Sequence, residues 1–163
     1  MSDCATWWID HVTATYLYVT ATRLQDEKEK EAQVEHLIAG AQGWGKMIGV
    51  PEASQPMIEH VAGVKAFIDA AFAGDMSVID QAVNALLANV DQQTQIYAAR
   101  IPNFPADEWK ILFGRHVTAT GGYTLALAAG DAEDFKKNYG VVIADRNALA
   151  RLWTLVCMRR GLK

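Results

Sequence analysis

The chain has 163 residues, of which 51% are hydrophobic and 21% are charged, and its formal net charge is −4. This length and composition are typical of one globular domain and exclude a disordered chain. Basic residues are scattered without a basic stripe, so we expect no nucleic-acid partner. No apolar run reaches the ~18–20 residues of a membrane span, and no secretory leader pattern is present, so we expect a soluble, cytoplasmic protein with no membrane partner.

Six helices, in chain order, are predicted near residues 4–25, 27–48, 55–73, 76–100, 105–129 and 132–159. The abundance of alanine and the presence of only four prolines favour helices over strands. Short junctions with an aspartate that can cap the following helix predict tight turns inside three pairs, and longer proline-containing breaks separate the pairs. We therefore predict an all-α fold, a six-helix bundle built from three consecutive αα-hairpin repeats. The predicted units of this single domain, 1–163, are about 4–48, 55–100 and 105–159.

Three histidines set the register of the predicted repeat. The pentapeptide His-Val-Thr-Ala-Thr begins at His11 and again at His116, and a third His-Val pair begins at His60. An aromatic residue follows each histidine by seven positions, an alanine by ten and an aspartate by fifteen. The aspartates are Asp26, Asp75 and Asp131. Packing accounts for the alanines and capping for the aspartates, whereas a buried imidazole is costly unless its ring nitrogens find partners.

The spacing of the histidines predicts a binding site. If the first helices of the three hairpins face a common axis, His11, His60 and His116 converge at one level. The residues 29 positions after a histidine lie at the same height on the second helix. Neutral imidazole binds zinc, copper and iron, so we predict a metal ion or a small ligand. The predicted metal ligands are His11, His60 and His116, and the predicted ligand-binding residues are Asn89, Asp145, Tyr18 and Tyr123.

Two alternatives compete with this binding site. In the first, the histidines are purely structural, hydrogen-bonded to nearby hydroxyls, and the protein is a structural or interaction module that self-associates or docks a partner. In the second and weaker one, the protein is a metal-dependent, hydrolase-like enzyme. We predict no catalytic residue, because phosphate-binding glycine loops after a strand and nucleophile elbows are missing from the sequence.

Other residues of chemical interest have simpler expectations. Cys4 and Cys157 lie near opposite ends and match no metal or redox spacing. A disulfide between them is one alternative, but a reducing cytoplasm favours two free thiols, which we predict. The five tryptophans are predicted to lie in the core. His36 has no counterpart in the other units and is predicted to be a surface residue, and Arg115 is predicted to be solvated or salt-bridged.

Several motifs resemble those of a group of small bacterial all-helical proteins. They are Trp-x-x-His-Val-Thr-Ala-Thr, Ile-Glu-His-Val, the Ala-Gly-Asp turns and Leu-Leu-Ala-Asn-Val-Asp-Gln. That group shares E-H-V, D-H-I and E-H-L histidine motifs and similar Gly-Asp turns. The residues that match are His11, His60, His116 and Asn89. The resemblance implies an all-helical fold and carries no function. The chain departs from the group's pattern at Ala14, Tyr16 and Gly40.

Overall fold

The computed structural model describes residues 3–162. They form six α-helices and a short 3₁₀ turn, Pro51–Ala53, and contain no strand. The helices are α1 Asp3–Leu24, α2 Glu27–Met47, α3 Ser54–Ala73, α4 Met76–Arg100, α5 Ala106–Ala129 and α6 Ala132–Arg159. Each bound lies within one residue of its prediction, and the all-α fold is confirmed. No helix in residues 3–162 combines the length and apolar character that a membrane crossing requires.

Tight turns join the two helices of each hairpin. The capping residues are Asp26, Asp75 and Asp131. Each accepts hydrogen bonds from backbone N–H groups two or three residues further on. Gly74 and Gly130 end the preceding helices in the left-handed conformation, with φ of 73° and 76°. The first turn lacks a glycine, and Gln25 takes the same conformation with φ of 57°. The aspartates therefore start the second helices as predicted.

The three hairpins close into a ring around a common axis. The first helices, α1, α3 and α5, contact one another at the centre. Each second helix lies between two first helices: α2 contacts α1 and α3, α4 contacts α3 and α5, and α6 contacts α5 and α1. This closure brings the inward faces of α1, α3 and α5 together, which is the condition for the histidines to meet.

Aromatic side chains fill one part of the core. Four tryptophans are fully buried and the fifth is 8% exposed, so the prediction of core tryptophans is confirmed; they are Trp8, Trp44, Trp109, Trp153 and Trp7. The rings of Trp44 and Trp153 lie edge to face with centroids 4.7 Å apart, and Trp109 stacks on Phe113 at 4.5 Å. The histidine-bearing faces of α1 and α5 adjoin this cluster.

A disulfide joins Cys4 of α1 to Cys157 of α6. Both residues are fully buried, and no free cysteine remains among residues 3–162. The prediction of two free thiols is therefore wrong. The two cysteines are 153 residues apart along the chain, so their proximity cannot be inferred from sequence spacing. Neighbouring helices joined by short turns alternate in direction, so the end of α6 meets the start of α1 when the ring closes.

Candidate functional site

The three repeat-spaced histidines meet inside the bundle. His11, His60 and His116 are 5%, 1% and 2% exposed. The ring centroids of His11 and His60 lie 5.7 Å apart. His116 lies close enough to both to lower their pKa values electrostatically. We call this group the histidine layer. The convergence expected from the sequence is present, whereas a role in binding stays a prediction.

Burial keeps the three imidazoles of the histidine layer neutral. Loss of solvation lowers the pKa of His60 to about 3 and that of His116 to about 4. The negative charge of Asp145 partly opposes the second shift. Burial also lowers the pKa of His11 well below its ordinary value, with smaller effects from His60, His116 and His36. A neutral imidazole offers one N–H donor and one acceptor nitrogen, and it is the form that binds metal ions.

Two ring nitrogens of the histidine layer lack partners. The Nδ1 atoms of His60 and His116 are buried and have no hydrogen-bond partner within residues 3–162. Aromatic rings surround the layer. Measured between ring centroids, Trp7 stacks on His11 at 4.9 Å and Trp8 lies 5.7 Å from His11. Phe113 lies 4.9 Å from His60. The indole Nε1 of Trp8 is likewise buried without a partner. An unpaired buried polar group costs free energy, so these atoms are available to a guest.

Asn89, a predicted ligand residue, belongs to a chain of buried hydrogen bonds. Its Nδ2 donates to the Pro56 carbonyl at 2.9 Å, and its Oδ1 accepts from Gln93 Nε2 at 2.7 Å. Tyr97 donates to Gln93 Oε1 at 2.9 Å, and Trp44 Nε1 donates to the Tyr97 hydroxyl at 2.7 Å. The sequence prediction missed this chain. The spacing of Asn89, Gln93 and Tyr97 at four-residue intervals on α4 is the signal that indicates it.

Asp145, the second predicted ligand residue, is fully buried and has a protein partner. The Nε of Arg115 donates to its two carboxylate oxygens at 2.9 and 3.0 Å, and the Nη2 of Arg115 also contacts Oδ1. The Arg115 side chain is 54% exposed and covers the carboxylate from the solvent side. The salt-bridged role predicted for Arg115 is present. Asp145 therefore faces His116 with its charge already compensated.

Of the two predicted tyrosines, Tyr18 contacts the neighbouring hairpin and Tyr123 packs within its own. The Tyr18 hydroxyl donates to the carboxylate of Asp69 at 2.7 Å. Burial, with this carboxylate beside it, raises the pKa of Tyr18. Tyr123 is buried and packs edge to face against Phe135 and Tyr139 of α6, with centroids 6.1 and 5.8 Å apart. Neither ring is among the aromatic contacts of the three histidines.

The space beside the histidine layer is small. A cavity of about 10 Å³ lies against His11, which is near the size that holds one water molecule. His11 also borders a shallow depression with Trp7, Asp10 and His36. There the exposed His36 pairs with Asp10 at 2.6 Å, so the surface position of His36 is confirmed. Within residues 3–162, no group of three or more His, Cys, Asp or Glu side chains is arranged to hold a metal ion.

Comparisons of this chain with protein-family models, with curated proteins and with solved structures return no match. The resemblance to small bacterial helical proteins therefore stays a prediction that rests on short motifs. Evidence about function comes from the geometry of the histidine layer and from the chemistry of its neighbours.

Proposed function

We propose that the protein is a non-enzymatic binding protein that takes up a metal ion or a small ligand at the histidine layer. One observation carries this proposal: His60 and His116 converge in the core with their Nδ1 atoms buried and unpartnered. The indole Nε1 atoms of Trp8, Trp109 and Trp153 are also buried without partners, but an indole can only donate, whereas a neutral imidazole can also accept a hydrogen bond or coordinate a metal ion. A guest that accepts or donates one hydrogen bond, or that coordinates imidazole, removes the cost.

The size and charge of the site restrict the guest. The cavity of about 10 Å³ beside His11 admits a single ion or a water-sized molecule. Neutral imidazoles suit Zn²⁺, Cu²⁺ or Fe²⁺. The rings are not yet arranged as a three-ligand set, so coordination requires the His11 and His60 rings to rotate toward one point. Asp145 is engaged by Arg115 and would act on the guest through its field at His116.

The structural or interaction module remains the second candidate. It is favoured by the hydrogen bonds of Asn89, Asp145 and Tyr18, since each predicted ligand residue in this group already has a protein partner. Exposed apolar side chains such as Leu155 and Met158 on α6 offer a face for a second copy.

The repeat and the location of the protein are proposals too. Matched spacings around the histidines support an origin of the three hairpins as internal repeats. The cytoplasmic location expected from the sequence stays untested. The Cys4–Cys157 disulfide weighs against it, because such bonds persist mainly in oxidising compartments.

Metal uptake by protein purified without a histidine tag tests the binding proposal. We expect Zn²⁺, Cu²⁺ or Fe²⁺ at one equivalent by elemental analysis, and a rise in Tm when the same ion is added to metal-free protein. His60→Leu should abolish both effects. His36→Leu, which removes the exposed histidine, should leave them intact. Substoichiometric metal and an unchanged Tm with all three ions would favour the structural module.

A further inference from the structure

The position five residues after each histidine lies at a boundary between neighbouring hairpins. The three residues there differ strongly in size: Tyr16, Lys65 and Gly121. Tyr16 faces the α6–α1 boundary, Lys65 the α2–α3 boundary and Gly121 the α4–α5 boundary. The three boundaries can therefore be compared at one matched position within the same molecule.

Aromatic rings fill the α6–α1 boundary. The Tyr16 ring packs against the Tyr139 ring with centroids 4.9 Å apart. Tyr139 in turn meets Tyr123 edge to face at 5.8 Å. A phenol ring supplied by the chain itself thus occupies this boundary.

A lysine lies at the α2–α3 boundary. Lys65 lines a space of about 10 Å³ there, together with Tyr18 and Val34. Its ammonium group pairs with Asp69 at 2.7 Å. A wider surface groove of about 450 Å³ adjoins this space, and charged side chains line it: Glu27, Lys30, Glu31, Glu35 and Lys65.

The α4–α5 boundary is open. A groove of about 270 Å³ lies there, and no charged side chain lines it. Its principal lining residues are Val64, Phe67, Val83, Leu86, Gly121 and Leu125. The first four correspond, by their distances from the histidines, to Thr15, Tyr18, Val34 and Leu37 of the small space at the α2–α3 boundary. These positions therefore enclose about 10 Å³ at the α2–α3 boundary and about 270 Å³ at the α4–α5 boundary, and the open groove at the first boundary is charged whereas that at the second is not.

Gly121 accounts for part of this difference. A glycine in a helix interior is destabilising relative to alanine, so its presence calls for a reason. A Cβ at Gly121 would lie 3.2 Å from the Phe67 ring, where Tyr16 and Lys65 carry long side chains at the matched positions. The half-exposed Leu87 and Leu125, each 41% exposed, leave apolar surface in water at the groove.

We propose that this groove binds a small uncharged aromatic molecule of one or two fused rings. Such a ring would take the place that the Tyr16 ring holds at the α6–α1 boundary. The lining is mainly aliphatic and aromatic, with the hydroxyl-bearing Thr118 and Thr120, as in most small-molecule sites, and it provides no side-chain charge to pair with an ionised ligand. Apolar cavities of ~150 Å³ already hold benzene, so this groove is large enough. The site is separate from the histidine layer and does not depend on the function proposed there.

Titration with indole tests this site, with phenol as a smaller probe and benzoate as a charged one. We expect indole to shift backbone amide resonances of groove residues saturably at submillimolar to millimolar concentration. Phenol should bind more weakly, and benzoate at least tenfold more weakly than indole. Tighter binding of benzoate, or no saturable shift with indole, would overturn the proposal.

Two variants localise the binding. Val83→Phe should fill the groove and weaken indole binding at least tenfold. Leu87→Gln at the exposed rim, which leaves the core intact, should weaken it about threefold. Leu17→Gln changes a comparably exposed leucine on α1, 38% exposed, and should leave the affinity unchanged. Equal affinities in all three folded variants would overturn the assignment. A dimer that Leu87→Gln dissociates would instead assign the groove to a second copy of the chain.

Discussion

Two sets of buried polar side chains lie within the bundle, and they differ in how the fold satisfies them. Asn89 and Asp145 have direct partners in neighbouring elements. His60 and His116 have buried Nδ1 atoms with none. Asn89 lies on α4 within reach of the Pro56 carbonyl. Asp145 lies on α6 within reach of the half-exposed Arg115. The central histidines face aromatic rings, which supply few acceptors. The fold itself satisfies the first set, whereas the two unpartnered imidazoles of the second set are the groups that the proposed guest would satisfy.

Acidification should produce the largest loss of folding stability, and this loss should come from the buried histidines. The folded-state pKa values of His60 and His116 lie below the unfolded value of about 6.5, so the unfolded chain binds more protons. Stability is therefore fully present above pH 6.5 and falls as pH drops toward the folded-state pKa values of about 4 for His116 and about 3 for His60. We expect a loss of about 1.4 kcal/mol per pH unit for each buried histidine. Urea unfolding at pH 7.5, 6.0 and 5.0 measures this slope.

The acid slope has a matched pair of controls. His60→Leu should reduce the slope by the contribution of one histidine, whereas His36→Leu should change it little, because His36 is exposed. A slope near zero in the unmodified protein would mean that the histidines are solvated or already paired.

Removing the partner of Asp145 should have the next largest effect. Arg115→Met leaves a fully buried carboxylate uncompensated and should cost about 2–3 kcal/mol. The cost is limited because the Arg115 side chain is half-exposed and water can enter there. Adding Asp145→Asn to this variant should recover part of the loss. Arg146→Met removes a partly buried arginine whose side-chain hydrogen bonds within residues 3–162 go to Asn147, and it should be nearly neutral in thermal unfolding.

Breaking the hydrogen-bond chain of α4 should cost somewhat less. Asn89→Ala removes the partners of the Pro56 carbonyl and of Gln93, for a loss of about 1–3 kcal/mol. Asn84→Ala changes an exposed asparagine of the same helix and is the control. If chemical denaturation shows the two variants to be equally stable, this chain of hydrogen bonds contributes nothing to the stability of the fold.

Replacing an unpartnered histidine should have the smallest effect on stability at neutral pH. His60→Leu removes a buried ring nitrogen that has no partner and puts an apolar side chain in its place. We expect the free energy of unfolding at pH 7.5 to stay constant or to rise by up to about 1 kcal/mol. A loss of 2 kcal/mol or more would show that His60 has a structural partner and would remove its contrast with Asn89.

The sequence predicts the helices and their capped turns, because these depend on local periodicity and on capping residues, and it predicts the meeting of the histidines on the condition that the hairpins close around a common axis. Asp26, Asp75 and Asp131 mark the turns directly. It does not predict the Cys4–Cys157 disulfide, which depends on closure of the ring. The partners of Asn89 and Asp145 and the open boundary at Gly121 depend on side-chain directions across helices, which the pattern along one helix does not specify.

The most direct test of the histidine layer is nitrogen NMR of the imidazole rings of His11, His60 and His116. At pH 5.5 all three rings should have the ¹⁵N shifts of neutral imidazole, because burial lowers their pKa values. One equivalent of Zn²⁺, Cu²⁺ or Fe²⁺ at pH 7 should shift or broaden the ring-nitrogen resonances of all three histidines, and His60→Leu should abolish the response. Rings that are protonated at pH 5.5, or that none of the three ions perturbs, would contradict a layer of neutral histidines that takes up a metal ion.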